Sequence, residues 1–281
     1  MFITPKLVGI LNITPDSFSG DGLLSFPESQ GVEAIQRCFE LGADYIDIGA
    51  EATSPGSDAM TAEAEQQRLL ALFQSVQSLP VVARAKLMCD TRHAETAKKA
   101  AKAGFGFIND VSGGRADLEM LPFIASSGLQ YVMMYAKNES GRADLLDNQA
   151  QVFQKIDDFF DAQLNAALSV GIKLEQIILD PGMGAFVSVH PEDSLEIIAR
   201  LGELKKRYQR PFFVGVSRKG FLAKLCRGAQ APQQRLGASL ALAVELAKQG
   251  ADYLRIHDIR ETGQFFEVQR AFRDYTLKRS L

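Results

Sequence analysis

Eight short apolar runs recur along this chain, each separated from the next by room for one helix, and that rhythm restricts the fold more than any single residue does. The runs occupy residues 7–11, 45–48, 87–89, 105–108, 131–134, 177–179, 212–216 and 253–256. Several, such as Ile177-Ile178-Leu179 and Phe212-Phe213-Val214, are apolar without a break. Unbroken runs suit strands buried on both faces of a parallel sheet, whereas half-exposed antiparallel strands alternate. Between them apolar residues return with the helical period, as at Leu69, Leu72, Phe73 and Val76, at Phe153, Ile156, Phe160 and Leu164, and at Ile197, Leu201 and Leu204. The phrase Gly42-Ala43-Asp44-Tyr45 returns as Gly250-Ala251-Asp252-Tyr253, a helix stop leading into a strand, and Gly104, Gly128 and Gly171 stand in similar places. Eight βα units over 281 residues, with no Gly/Ser-rich linker, predict an α/β chain of the (β/α)8 TIM-barrel class, with residues 1–281 as a single domain. An open doubly wound sheet is the competing architecture, and it normally has fewer strands over this length.

Apolar residues at 46% and charged residues at 23% match soluble globular chains and exclude disordered or collagen-like ones. Lys+Arg 31 against Asp+Glu 34 leaves a net charge of −3, so the whole-molecule field attracts neither nucleic acid nor an anionic membrane, and any anion binding must be local. Cys38, Cys89 and Cys226 are widely spaced with no CxxC, which argues against a disulfide framework or a structural zinc site and fits a reducing compartment. No apolar run is long enough to span a bilayer, and residues 1–6 lack the basic-then-apolar pattern of a signal peptide. The expectation is a cytoplasmic protein with no membrane or nucleic-acid partner.

In a barrel of this kind chemistry sits where the strands end, so the residues after each run carry the functional signal. They are Asn12, Gly49 with Glu51, Asp90, Asn109-Asp110, Tyr135, Asp180, Ser217-Arg218-Lys219 and His257-Asp258. Alternation puts Tyr253, Arg255 and His257 on one face of the last strand, with Leu254 and Ile256 on the other. The apolar pair must face the helices, which points Arg255 and His257 into the barrel mouth. A lone guanidinium there carries a desolvation cost of several kcal/mol, so an anionic ligand is its simplest partner, with a salt bridge to Asp258 or another rim acid as the alternative. Asp90, Asn109 and Asp180 supply acceptors and one amide, and Lys219 supplies a donor, a set suited to the edge of an amino-substituted heterocycle. Each acid or amide alone is as readily a helix cap. The stretch from Asn12 to Gly22 reads as a loop over the site, and residues 137–148 read as a long exposed loop.

Ile10-Leu11-Asn12-Ile13-Thr14-Pro15-Asp16-Ser17-Phe18-Ser19, Asn109-Asp110, Leu179-Asp180-Pro181-Gly182, Ser217-Arg218-Lys219 and Arg255-Ile256-His257-Asp258 follow one another at the ends of strands 1, 4, 6, 7 and 8. In order, and over nearly the whole chain, they resemble the dihydropteroate synthase family of pterin-binding barrels. The resemblance implies condensation of 6-hydroxymethyl-7,8-dihydropterin diphosphate with 4-aminobenzoate, giving 7,8-dihydropteroate and diphosphate, with diphosphate leaving before the amine attacks. It implies Asp180, Asn109 and Lys219 on the pterin, with Met133 and Phe186 in the substrate pocket, and Asp90 beside the developing positive charge. It further implies Arg255, His257, Thr53 and Asn12 on the diphosphate, Asn12 reaching a Mg2+, and Ser217 with two loops at the aminobenzoate. Asp90, Lys219, Arg255 and His257 would be the catalytic set, Thr14, Pro15, Asp16 and Phe18 the lid, and the assembly a homodimer through the outer helices.

The chain departs from the family at three loops. Ala52-Thr53-Ser54-Pro55-Gly56 stands where Ser-Thr-Arg-Pro-Gly is usual, Tyr135 replaces a His after strand 5, and Met183-Gly184-Ala185-Phe186 shifts an aromatic by one position. Three other readings compete. One is a methyltetrahydrofolate-binding methyltransferase module, which has no need of a diphosphate site. The second is a lyase with Lys219 as Schiff-base nucleophile, its pKa lowered by Arg218. The third is a paralogue that binds pterin without turnover.

Overall fold

A computed structural model of the chain describes residues 4–13, 31–51, 60–143 and 151–279. All eight apolar runs are strands: β1 Lys6–Asn12, β2 Tyr45–Gly49, β3 Leu87–Asp90, β4 Phe107–Asp110, β5 Gln130–Met134, β6 Ile177–Asp180, β7 Phe213–Val214 and β8 Tyr253–Ile256. Every pairing is parallel, in the order β6-β5-β4-β3-β2-β1-β8-β7, and a bridge between Leu179 and Phe212 joins the two edges. The sheet therefore closes into a barrel, and the open doubly wound alternative is excluded. β7 is shorter than its apolar run, because beyond Val214 the chain leaves the ladder and turns at Ser217-Arg218.

The helices, in chain order, are α1 Gly31–Glu40, α2 Ala62–Ser75, α3 Val81–Arg84, α4 Ala94–Ala103, α5 Met120–Ser127, α6 Val152–Ser169, α7 Pro191–Tyr208, α8 Leu222–Leu225, α9 Leu236–Lys248 and α10 Ile259–Arg279. One long helix follows each strand, and α3 and α8 are short additions. α2 starts where Thr61 Oγ1 accepts from the Ala64 amide at 3.3 Å, with Glu63 and Glu65 placed to meet the positive end of the helix dipole. The repeated phrase ends α1 and α9 at Gly42 (φ 102°) and Gly250 (φ 90°), left-handed positions that cost an L side chain about 1–2 kcal/mol.

Two apolar layers result. Between strands and helices lies the main core, with Leu254, Ile256, Cys89, Met133 and Leu179 from the outward strand faces against Leu69, Leu72, Ile197 and Leu201 from the helices. Inside the barrel each strand contributes one residue to a single ring: Val8, Tyr45, Met88, Phe107, Val132, Ile178, Phe213 and Tyr253. Tyr45 sets its ring edge-on to Phe107 at 5.1 Å and to Tyr253 at 5.6 Å, so aromatic faces fill the barrel bottom. No helix among the described residues is long and apolar enough to cross a membrane.

Candidate active site

Side chains on a strand return to the same face every second residue, so the residues two positions beyond that ring also point inward. They are Ile10, Asp47, Asp90, Asn109, Met134, Asp180, Gly215 and Arg255. An apolar floor is thus followed directly by a layer with three carboxylates, an amide and a guanidinium. All of this second layer except Asp47 lines a cavity of about 520 Å³, whose walls are completed by the loops after β6 and β7.

Asp47 lies beneath the cavity with no solvent exposure and ties the layer together. Its Oδ2 accepts from Arg255 Nε at 2.5 Å and from Asn109 Nδ2 at 2.9 Å, while Arg255 Nη2 donates to Asp90 Oδ2 at 2.9 Å. Arg255 is thus clamped between two acids, neither of which is Asp258; that residue instead accepts from Arg218 Nε at 3.1 Å and Nη2 at 2.5 Å. Among the described residues Asp47 Oδ1 and Asn109 Oδ1 are buried without a hydrogen-bond partner, and an unmet buried acceptor costs about 1–3 kcal/mol; of the two, Asn109 lines the cavity, where an N–H donor of a ligand meets it.

Three carboxylates, Asp47, Asp90 and Asp180, meet two cations, Arg255 within the layer and Lys219 above it, and Asp90, Asp180 and Lys219 respond accordingly. Burial pushes the Asp90 carboxyl up, Asp47 pushes it further, and Arg255 opposes both. Burial likewise raises Asp180, against the Gly182 amide, which donates to its Oδ1 at 2.8 Å, and against the charge of Lys219. Burial lowers Lys219 while Asp180 resists that fall, and its Nζ sits 4.4 Å from the centre of the Phe186 ring. Arg218 is not among the groups that depress Lys219, contrary to the Schiff-base reading.

After the neighbouring strand β8, His257 Nδ1 lies 3.0 Å from Ser217 Oγ, which also accepts the His257 backbone N–H at 3.1 Å. Burial, then Arg255, Arg218 and Lys219, depress His257 to about 3, so it is a neutral imidazole rather than a cation in the free chain. Arg218 adopts a left-handed backbone (φ 57°), held by its own N–H donating to Ser239 Oγ at 3.0 Å and by Arg235 Nη1 donating to its carbonyl at 2.8 Å. Strain of this kind persists where surrounding contacts fix it, and here it sets Lys219 over the cavity.

Asp90, Asn109, Asp180, Phe186, Ser217, Lys219, Arg255 and His257 all line the one cavity. Met133 does not: it is fully buried in the outer core, because alternation along β5 turns Met133 outward and Met134 inward. Asn12 ends β1 opposite Gly49 and stands outside the cavity lining. Thr53, Thr14, Pro15, Asp16 and Phe18 lie outside the described residues. Tyr135 leaves the site altogether, its ring packing edge-on to Phe159 at 5.3 Å. The described part of the 137–148 stretch is not an exposed loop: Arg142 Nη1 pairs with buried Glu51, which Arg92 also holds at 3.2 Å, and Ala143 is buried in the cavity wall. Asp47 and Met134 went unrecognised in the sequence; the alternation used on the eighth strand identifies both.

A sequence profile of the family described as pterin binding enzyme matches residues 8–257. The type-3 dihydropteroate synthase of Escherichia coli is 32% identical over 267 residues, covering 95% of this chain and 98% of its own. This chain belongs to the dihydropteroate synthase family of pterin-binding enzymes. Within that family, the Xanthomonas albilineans dihydropteroate synthase solved with 4-aminobenzoic acid superposes with a TM-score of 0.81 at 30% identity, covering 97% of this chain and 94% of its own. The Anaplasma phagocytophilum dihydropteroate synthase with bound 6-hydroxymethylpterin-monophosphate superposes with a TM-score of 0.79 at 31% identity, covering 96% of this chain and 100% of its own.

Proposed function

We propose that this chain is a dihydropteroate synthase, joining 6-hydroxymethyl-7,8-dihydropterin diphosphate to 4-aminobenzoate with release of diphosphate and a proton. The observation that carries the reading is the inward layer of β3, β4, β6 and β8, which sets Asp90, Asn109, Asp180 and Arg255 around one cavity with Lys219 and His257 above it. Two relatives of the same fold bind, respectively, a pterin phosphate and 4-aminobenzoic acid.

Asp180 and the open Asn109 Oδ1 accept from the N–H edge of the pterin, and Lys219 donates to its ring acceptors. As the methylene C–O bond breaks, its electron pair leaves with the diphosphate and positive charge spreads into the ring. Asp90, beside the ring, stabilises that charge. Arg255 meets the acids through Nε and Nη2, which leaves Nη1 for the departing anion. With the Ser217 hydroxyl donating to Nδ1, His257 carries its ring proton on Nε2 and is a neutral donor to the same anion. Each preorganised contact of this kind lowers the barrier by about 3 kcal/mol. The arylamine nitrogen then forms the new C–N bond and gives up its proton.

A Mg2+ ion fits this reading as a companion of the diphosphate. Among the described residues no cluster of three His, Cys, Asp or Glu is arranged to hold a metal, whereas Asn12 carries a hard amide oxygen at the rim end of β1. Asn12 would hold the ion together with phosphate oxygens and water, and the ion would supply further neutralisation of the leaving charge. We assign Thr53 to the diphosphate and Thr14, Pro15, Asp16 and Phe18 to the lid on the family resemblance alone. The free thiols of Cys38, Cys89 and Cys226 support a cytoplasmic location. Val268, Phe272 and Tyr275, exposed at i, i+4 and i+7 on α10, support a homodimer through the outer helices.

Diphosphate release with both substrates and Mg2+ tests the reading. The wild-type chain releases diphosphate over many turnovers only when both substrates are present, and Lys219→Ala and Arg255→Ala each lose at least about a hundredfold. Pterin binding without release in the wild type would overturn it in favour of a non-catalytic paralogue, and full activity in both variants would remove their roles.

A further inference from the structure

The cavity changes character from floor to mouth. Above the polar layer its walls are the Phe186 and Phe221 rings with Met183, Ala185 and Val189, and at the outer edge stands Lys224 of α8. The cations along this wall have different commitments. Arg255 is held by Asp47 and Asp90, and Arg218 by Asp258. Arg235 spends Nε, Nη1 and Nη2 on the carbonyls of Ala229, Arg218 and Gln230. Lys219 lies over Phe186 and in the field of Asp180. Lys224 alone among them has a solvent-facing ammonium with a single neutral partner, the Val189 carbonyl at 2.7 Å, and no carboxylate of the described residues is within ion-pair distance. Two of its three N–H bonds are therefore available to a ligand. At Gly220, one turn earlier, no atom of the described residues lies within 4 Å of where a Cβ would stand.

A ligand matching this succession has a nucleophile at one end, a flat apolar body in the middle and an anion at the far end. We propose that Lys224 is the anchor for the carboxylate of the arylamine substrate, fixing the ring between Phe186 and Phe221 with its amine directed at the pterin methylene. This rests on the functional reading above and adds to it a specificity determinant: the charge on the para substituent is read at the mouth, remote from the reacting atoms. A cation there favours a para-carboxylate over a neutral para substituent of the same shape, since only the former gains a charge-assisted hydrogen bond.

The test compares 4-aminobenzoate with 4-aminobenzamide as acceptors for the wild-type chain, Lys224→Met and Lys224→Arg, by diphosphate release. The wild type prefers the acid over the amide by about tenfold, the 1.4 kcal/mol of one such bond. Lys224→Met raises KM for 4-aminobenzoate about tenfold, leaves KM for the pterin substrate in place and abolishes the preference, while Lys224→Arg restores it. A wild-type chain that turns over while Lys224→Met keeps both its KM for 4-aminobenzoate and its preference for the acid overturns the anchor and leaves the functional reading intact. A wild-type chain that releases no diphosphate overturns the functional reading and the anchor with it. Because Lys224 is exposed on the surface, its replacement leaves the core untouched, and an unchanged melting temperature verifies this.

Discussion

Asp47 makes no contact with the cavity, yet replacing it with Asn should damage the enzyme. Its Oδ2 holds Arg255 Nε at 2.5 Å and Asn109 Nδ2 at 2.9 Å, so one buried oxygen orients both an anion-binding and a pterin-binding group. Breaking a buried ion pair outright costs about 3–5 kcal/mol, but Arg255 retains Asp90 at 2.9 Å and the Asn amide oxygen still accepts, so the charge is not abandoned. What is lost is the charged part of one hydrogen bond and the fixed angle of two side chains, about 1.5–3 kcal/mol, or roughly 10- to 150-fold. The loss falls on kcat/KM for the pterin diphosphate, measured at saturating 4-aminobenzoate, and spares KM for 4-aminobenzoate. The pH profile supplies a second readout. Asp47 is one of the charges holding the Asp90 carboxyl above its ordinary value, so removing it lowers Asp90 and moves the acid limb of kcat/KM to lower pH. A variant within threefold of wild type with an unmoved acid limb would refute the positioning role, as would an equal loss on both substrates.

Asp180→Asn should trade activity for stability in a pH-dependent way. The folded chain raises Asp180 from 3.8 to about 7, so it retains a proton that the unfolded chain gives up. That contribution is fully present below the unfolded value and is lost as pH rises through the folded one, at about 1.4 kcal/mol per pH unit. The variant therefore melts higher than wild type at pH 8, shows little difference at pH 4, and is inactive; an equal offset at both pH values would contradict the account. Met133→Ala should cost about 2–5 kcal/mol of stability with KM for the pterin substrate unchanged, whereas Met134→Ala raises that KM. Chemical denaturation and steady-state kinetics on the pair separate the two, and the reverse pattern would place the wrong methionine in the cavity.

The barrel was legible because its signals are local. Unbroken apolar runs mark strands covered on both sides, and Gly42 and Gly250 close helices where the backbone enters the left-handed region. The inward direction of Arg255 and His257 followed from the apolar residues that alternate with them, Leu254 and Ile256, which the outer core does contain. The partners of Arg255 were not legible in that way. Asp47 is 208 residues away and Asp90 165, and which rim acid reaches a guanidinium is decided by strand register across the closed barrel, to which no spacing in the chain corresponds. Asp258, its sequence neighbour, is drawn off by Arg218. Residues 137–143 looked like an exposed polar loop because the acid that holds them, Glu51, belongs to the end of another strand.

The most direct measurement is a crystal structure of the chain with 6-hydroxymethylpterin diphosphate. Pterin N–H groups should lie within about 2.7–3.2 Å of Asp180 and of Asn109 Oδ1, with the diphosphate against Arg255 and His257. A pterin seated outside the barrel mouth, or a diphosphate held by other cations, would contradict it.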